Sequence, residues 1–328
     1  MIGATGAVGE TILRVLEERR IPVADFGAFA SRPRVAAVTF RGQPVDVRAT
    51  TDEALNGYDV VFFAGGEDAS ERYAPALLER GCVVIDNSPT YRLRDGVPLI
   101  VPEINAGAVR AEHRLFPVAN CTAIVLSAAL APIRDVAGLR AVRVATYQAA
   151  SGAGRAGLDE LRAGERAAVL GEPEPAPDVF GRPLAHNVVP QVGTLDDSGT
   201  TSEERKICDE TRKMLGLPDL FVSAMSVRVP VRSAHSEAVF VQTERGSDVA
   251  ELAGAFERAA GICFHRDGIV TPRDAEGDDR VHVARLRAEA GTANEFAFWC
   301  TGDQLRKGAA TNAVQILELL MAKGYVRA

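Results

Sequence analysis

Hydrophobic and polar positions alternate in two different textures along the chain. In the first third, short apolar runs take turns with helical periods. "GATGAVGETILRVLEERR" reads as a glycine turn followed by an amphipathic helix. "DFGAFAS" and "DVVFFAGG" read as short buried strands, "SERYAPALLERG" as a helix ended by glycine, and "CVVIDNS" as another strand. Such alternation predicts a parallel sheet with helices on its faces. Near residue 122 a helix is predicted, because Leu126, Leu130 and Ile133 recur at helical spacing. Beyond it longer strand candidates appear: "LRAVRVATYQAA", "LFVSAMSVRVPV", "SEAVFVQTE", "RVHVARLRAE" and "EFAFWCTGD". They predict a second, largely antiparallel sheet, with helices near 153–170, 203–216 and 248–260. The proline-rich "GEPEPAPDVFGRP" reads as a surface loop, and "QLRKGAATNAVQILELLMAKG" as a last helix returning to the first domain.

Composition narrows the class without changing this outline. A chain of 328 residues, 47% hydrophobic and 25% charged, suits a globular protein of two domains. A net charge of −7 argues against a general nucleic-acid surface. No apolar run has the length of a membrane span, and no signal peptide is evident, so a cytoplasmic location is expected. The five cysteines are widely spaced, with no CxxC pair, and the five histidines are scattered. That pattern fits a reducing compartment and predicts neither a disulfide framework nor a metal site. Cys82 and Cys300 lie in apolar strand patterns and read as core, whereas Cys208 and Cys263 join no constellation.

Two stretches carry chemistry. In "GATGAVG", Gly3, Gly6 and Gly9 open a helix, where a tight turn lets backbone approach a phosphate held by the helix N-terminus. The second strand ends in "ASRPR", without the acidic residue that grips a ribose hydroxyl. Ser31, Arg32 and Arg34 there suit a 2′-phosphate, and so NADP. In "VANCTAIVLSAAL", Cys121 stands at or just before a predicted helix start, where unpaired amides and the helix dipole favour a thiolate.

Taken together, the motifs resemble those of the aspartate-β-semialdehyde dehydrogenase family over nearly the whole chain. The resemblance rests on "GATGAVG", "VVIDNSPTYRL", "VPLIVPEIN", "NCTA", "TYQAASGAG", "EERK", "RVPVRSAHSEAV" and "GDQLRKGAATNAVQ", in that order. It implies an α/β fold: a Rossmann-type dinucleotide-binding domain, residues 1–121 plus 303–328, and an α+β catalytic and dimerisation domain, 122–302, like that of glyceraldehyde-3-phosphate dehydrogenase. It also implies NADPH-dependent reductive dephosphorylation of L-4-aspartyl phosphate to the semialdehyde through a cysteine thioester, by a homodimer. That reaction serves lysine, threonine, methionine and diaminopimelate biosynthesis.

Residue by residue, the resemblance makes Cys121 the nucleophile, His235 the general acid/base and Gln148 the group that orients the thioacyl intermediate. Arg228 would clamp the substrate carboxylate, and Glu203 would hold its ammonium. Lys206 and Arg92 would bind phosphate. Gly3, Thr5, Gly6, Ala7, Val8 and Gly9 would line the dinucleotide, with Ser151 and Gly152 along it and Gln304 at its nicotinamide end. These residue types suit the chemistry: a thiolate displaces phosphate from an acyl phosphate, imidazole shuttles the proton, and planar arginine grips a carboxylate through two bonds. Glu203 and Lys206, three apart, share a helix face.

Departures from the family pattern are Ala119, where proline usually precedes the Asn–Cys pair, and "SRPR" in place of "SxRS", with Pro33 at the arginine position. Rival readings are an N-acetyl-γ-glutamyl-phosphate reductase and a non-catalytic paralogue that acts as a binding protein. A dinucleotide fold also needs a strand of ~5–6 residues before the glycine turn. Met1 and Ile2 supply only its last two positions, so a longer working N-terminus is expected.

Overall fold

The computed structural model describes residues 1–31 and 35–326. Contacts divide the chain into Met1–Asn120 with Ala309–Ala328, and Cys121–Gly308. Cys121 and residues 303–308 thus group with the second unit.

The first unit contains helix α1 (Ala7–Glu18), strands β1 (Ala28–Ala30), β2 (Ala37–Phe40), β3 (Gln43–Ala49) and β4 (Val60–Phe63), helix α2 (Glu67–Glu79), β5 (Val83–Asp86), the short α3 (Pro102–Asn105) and β6 (Leu115–Pro117). β4, β5 and β6 pair in parallel, as does β1 with β3. Ile2 bridges Phe29 of β1 and Phe63 of β4, joining both groups into one sheet. The Gly3 N–H donates to the Phe29 carbonyl at 2.8 Å, and the Ala64 N–H to the Ile2 carbonyl at 2.8 Å. Ile2, Phe29, Val61, Phe63 and Val84 form one core with Leu77 and Tyr73 of α2.

The hairpin β2–β3 is not predicted by the hydrophobic pattern. Its turn consists of Arg41 (φ 51°) and Gly42 (φ 73°), the left-handed pair that a two-residue hairpin turn requires. Arginine is an unusual first residue for such a turn, so the local signal is weak.

The second unit opens with α4 (Cys121–Ala137), followed by β7 (Ala141–Gln148), α5 (Gly154–Leu170), α6 (Ser202–Leu215), β8 (Phe221–Arg228), β9 (His235–Gln242), α7 (Val249–Arg258), β10 (Ile262–His265), the short α8 (Pro272–Ala275), β11 (Val281–Ala288) and β12 (Glu295–Gly302). The strands form one sheet in the order β10-β11-β12-β9-β7-β8. Its three inner pairings are antiparallel and its two outer ones parallel. β10 escapes the sequence pattern because it is four residues long and every residue is only half-buried. α4 continues past Pro132 and is buried from Thr122 through Ile133. Buried all round, it shows little amphipathic contrast, which is why the periodicity there marks a helix but not its face. The C-terminal helix α9 (Thr311–Ala322) packs on α1 within the first unit, and Asn312 donates to the Ile100 carbonyl there at 2.9 Å.

Candidate active site

In the first unit the glycine turn is as tight as a phosphate cradle needs. Gly3 has φ +80°, and a Cβ there would lie 2.6 Å from the Ala64 carbonyl carbon. A Cβ on Gly9 would lie 2.8 Å from the Ala4 Cα, so only glycine lets α1 pack this closely on the turn. Gly6 precedes α1 in an extended conformation, and no side chain caps the helix. Thr5 lies in the turn, and Ala7 and Val8 are the first two residues of α1. Ser31 is exposed at the end of the second strand, while Arg32 and Arg34 lie outside the described residues. Arg92 is buried, its Nε donating to the Val118 carbonyl at 2.8 Å and a terminal nitrogen to the Asn87 carbonyl at 3.0 Å.

Cys121 is the first residue of α4 and is partly exposed. Gly308 passes so close that a Cβ there would stand 2.8 Å from the Cys121 Cβ. Gly308 belongs to a π-helical turn, Arg306–Ala310, a distortion found at functional sites. Asp303 holds this turn, accepting from the N–H groups of Leu305 at 2.9 Å and Arg306 at 3.1 Å. Lys307, in the same turn, is completely buried. The hydrophobic pattern does not single out Gly308 or Lys307; the available signal is a Lys–Gly pair directly before the small residues that open the last helix.

His235, the first residue of β9, is fully buried. Its Nδ1 accepts the Ala149 N–H at 3.0 Å. The hydrogen-bond network therefore places the proton of the neutral ring on Nε2, which has no partner among the described residues. Burial, and then the charge of Arg228, hold the imidazole pKa well below its usual value. Arg228 closes β8, buried, and donates to the Ala149 carbonyl at 2.7 Å. Its own pKa is lowered by burial, against the raising influence of Cys121 and Glu203. Gly152 fits between these groups: a Cβ would lie 2.8 Å from an Arg228 terminal nitrogen and 3.0 Å from the His235 Cε1.

Gln148 ends β7 and is buried, its Oε1 accepting from the Thr146 hydroxyl at 3.1 Å and its Nε2 donating to Glu203 at 3.1 Å. Glu203 lies in the first turn of α6, whose start is set by a reciprocal cap between Thr201 and Glu204. Glu204 is spent on structure, accepting also from the Ser226 N–H at 2.8 Å, so the adjacent acid Glu203 is the one turned to Gln148. Lys206, one turn on, is half-buried. Gln304 is buried between two elements: its Oε1 accepts the Ala234 N–H at 2.7 Å, and its Nε2 donates to the Ser151 hydroxyl. Ala234 has φ +65°, a strained value for a residue with a Cβ, immediately before His235. The fold thus brings Cys121 and Glu203 within electrostatic reach of Arg228, sets His235 beside that arginine, and links Gln148 to Glu203.

Elsewhere in the second unit, the structure corrects the reading of Cys263 and the scattered histidines as lacking a constellation. Cys263, His265 and His282 bring their ligand atoms within 4.8 Å of one another.

A nucleotide cradle in one unit and a cysteine, histidine and arginine set on a mixed sheet in the other define a two-domain nucleotide-dependent dehydrogenase. Residues 1–112 match the semialdehyde dehydrogenase NAD binding domain, and residues 130–307 match the semialdehyde dehydrogenase dimerisation domain. Aspartate-semialdehyde dehydrogenase 2 of Vibrio cholerae is 40% identical over 327 residues, covering 98% of this chain and 96% of that protein. The Bacillus subtilis aspartate-semialdehyde dehydrogenase is 36% identical over 333 residues, covering 98% of this chain and 96% of that protein. A crystal structure of aspartate semialdehyde dehydrogenase II from Vibrio cholerae, complexed with ASA, has a TM-score of 0.92 at 38% identity, covering 98% of this chain and 97% of that one. The chain belongs to the aspartate-semialdehyde dehydrogenase family.

Proposed function

We propose that this protein reduces L-4-aspartyl phosphate to L-aspartate 4-semialdehyde, reversibly and with NADP as its dinucleotide, in the biosynthesis of lysine, threonine, methionine and diaminopimelate. The observation that carries this reading is the buried His235, with an unpartnered Nε2, beside an Arg228 that senses both Cys121 and Glu203.

The Cys121 sulfur attacks the acyl carbon, the carbon–oxygen bond to phosphate breaks, and a thioester forms with release of inorganic phosphate. Gly3, Thr5, Gly6, Ala7, Val8 and Gly9 would hold the dinucleotide, whose chemistry would be to provide a hydride for reduction of this thioester. Collapse of the resulting thiohemiacetal frees the semialdehyde and returns the sulfur. We assign His235 the general acid/base role as a donor: its Nε2–H is set to hydrogen-bond the oxyanion that develops on the acyl oxygen, the proton staying shared with the neutral ring until that oxyanion collapses to the aldehyde and the thiolate leaves. Arg228 pairs with the substrate carboxylate, and Glu203, steadied by Gln148, offers a negative charge to the ammonium. Gln148 also orients the thioacyl group. Arg92 and Lys206 serve the phosphate. Ser151, Gly152 and Gln304 line the dinucleotide, and Ser31, Arg32 and Arg34 favour a 2′-phosphate over a free ribose hydroxyl.

The second unit also suggests the assembly. Phe221 and Met225 of β8, Tyr147 of β7 and Phe240 of β9 are large apolar side chains exposed on one sheet face, with Met225 58% exposed. Such a patch marks an interaction surface, and we read it as the homodimer face.

The decisive experiment follows phosphate-dependent reduction of NADP with aspartate semialdehyde. NAD and N-acetylglutamate semialdehyde serve as comparisons. The reading requires strong activity with the aspartyl substrate, a preference for NADP, and a burst from the acyl-enzyme. Preference for the N-acetylglutamyl substrate would overturn it, and no turnover with either would make the chain a binding protein.

A further inference from the structure

At the edge of the second unit's sheet, three side chains with metal-binding atoms point from one face of two neighbouring strands. Cys263 and His265 are two apart on β10, and His282 on β11 is the parallel partner of Cys263, so all three emerge on the same side. The Cys263 sulfur lies 3.6 Å from the His265 Nε2, which lies 3.0 Å from the His282 Nδ1. A tetrahedral zinc ion with ordinary bond lengths separates its sulfur and nitrogen ligands by ~3.6 Å and two nitrogens by ~3.3 Å. Those two spacings therefore need shifts of only a few tenths of an ångström to match, and the third pair, Cys263 with His282, lies within 4.8 Å.

The surroundings are those of a ligand set. His282 is buried, and its Nε2 lies 3.1 Å from an Asp278 carboxylate oxygen. That bond places the ring proton on Nε2 and leaves the Nδ1 lone pair facing Cys263 and His265, the arrangement by which a carboxylate orients a metal-bound imidazole. Asp278 is itself anchored, accepting from Arg280 through its guanidinium and its backbone N–H. Asp274 of α8, in the segment between the two strands, is engaged locally, accepting from the Thr271 N–H at 2.8 Å and hydroxyl at 2.7 Å. A carboxylate behind one of two imidazoles, with a thiol beside them, favours a divalent cation, and the sulfur–nitrogen donor set selects a borderline-soft one. None of these residues belongs to the catalytic constellation.

We propose that Cys263, His265 and His282 form a zinc-type site, with water in the fourth position, that clips edge strand β10 to β11. The clip would close the intervening loop that carries α8. It would also keep the edge strand from pairing with other chains.

The test uses the full chain with Cys121→Ser, which removes the partly exposed thiol at the start of α4, and cobalt(II) as a spectroscopic stand-in for zinc. Equilibrium dialysis should find one ion bound per chain. The absorption spectrum should show a sulfur-to-cobalt band in the near ultraviolet and tetrahedral bands in the visible. Cys263→Ser should abolish the sulfur band, and His282→Gln should abolish tight binding. Asp278→Asn should weaken binding about tenfold or more. Zinc should raise the Tm of the chain with Cys121→Ser but not of the chain with His282→Gln. Absence of the sulfur band, or binding that survives both Cys263→Ser and His282→Gln, would overturn the site. Should either variant fold poorly without metal, His265→Gln gives the same reading from the other strand position.

Discussion

Five cysteines occur in this chain, and their surroundings assign them different work. Cys300 is fully buried and donates to Glu237 at 3.4 Å, with its thiol pushed well above the usual range by burial and by that carboxyl. Cys121 instead begins a helix beside buried cationic and titratable groups. Cys121→Ala should abolish turnover. Cys300→Ala should keep the chemistry and lose stability by roughly 1–3 kcal/mol, because it strips a buried carboxyl of its donor. Steady-state kinetics with thermal melts separates these outcomes. Glu237 makes a sharper prediction. Burial raises its pKa from 4.5 to about 8, against the lowering bond from Cys300. Folding therefore takes up a proton between those two values. The stabilisation is complete below pH 4.5 and is lost progressively as pH rises to about 8, a cost on the order of 5 kcal/mol. Glu237→Gln keeps the oxygen acceptor but cannot ionise, so it should flatten this part of the stability–pH profile in urea titrations. An unchanged slope would mean that Glu237 is charged in the fold.

Among the elements, the π-helical turn Arg306–Ala310 and the start of α4 depend on each other. A methyl on Gly308 would meet the Cys121 Cβ at 2.8 Å and its Cα at 3.2 Å, and neither atom can swing aside like a side-chain tip. Gly308→Ala must therefore move the nucleophile. A drop in kcat of roughly ten- to a hundredfold is expected, since small misplacements of reacting atoms are costly. Gly107→Ala, where a Cβ meets nothing within 4 Å, is the matched control and should leave kcat unchanged. Equal effects of the two would remove the close-approach argument. The strained Ala234 and the paired bonds of Gln304 act on β9 in the same manner, fixing where the strand begins and hence where His235 points.

At the scale of the whole molecule, the proposed dimer face is the exposed apolar side of the mixed sheet. Met225 stands beside Ala145 on β7, and Phe240 stands on β9 opposite Arg143, so the apolar patch crosses three neighbouring strands. If this face joins two copies, Met225→Asp should shift the protein from dimer to monomer in light scattering, with its secondary structure retained. A persistent dimer would place the interface elsewhere.

The elements themselves follow from local pattern. Apolar runs and helical periods suffice for β1, β4 and β5, the long helices and the glycine turn, because burial of one face is written at spacings of two or 3.6 residues. Cys121 at a helix start was legible for the same reason, as an asparagine–cysteine pair before an apolar run. What local pattern omits is whatever depends on residues far apart in the chain. β10 is too short to show a period, and the β2–β3 turn is built on an arginine. The proton position on His235 depends on an N–H from Ala149, 86 residues away. The Gln304 bonds to Ser151 and Ala234, and the burial of Lys307, likewise have no local signature. The meeting of Cys263, His265 and His282 arises from strand register, since His282 reaches the other two only once β11 pairs with β10. Sequence spacing determines which face a side chain takes on its own element; which partner it finds there is set by the long-range packing that brings elements together.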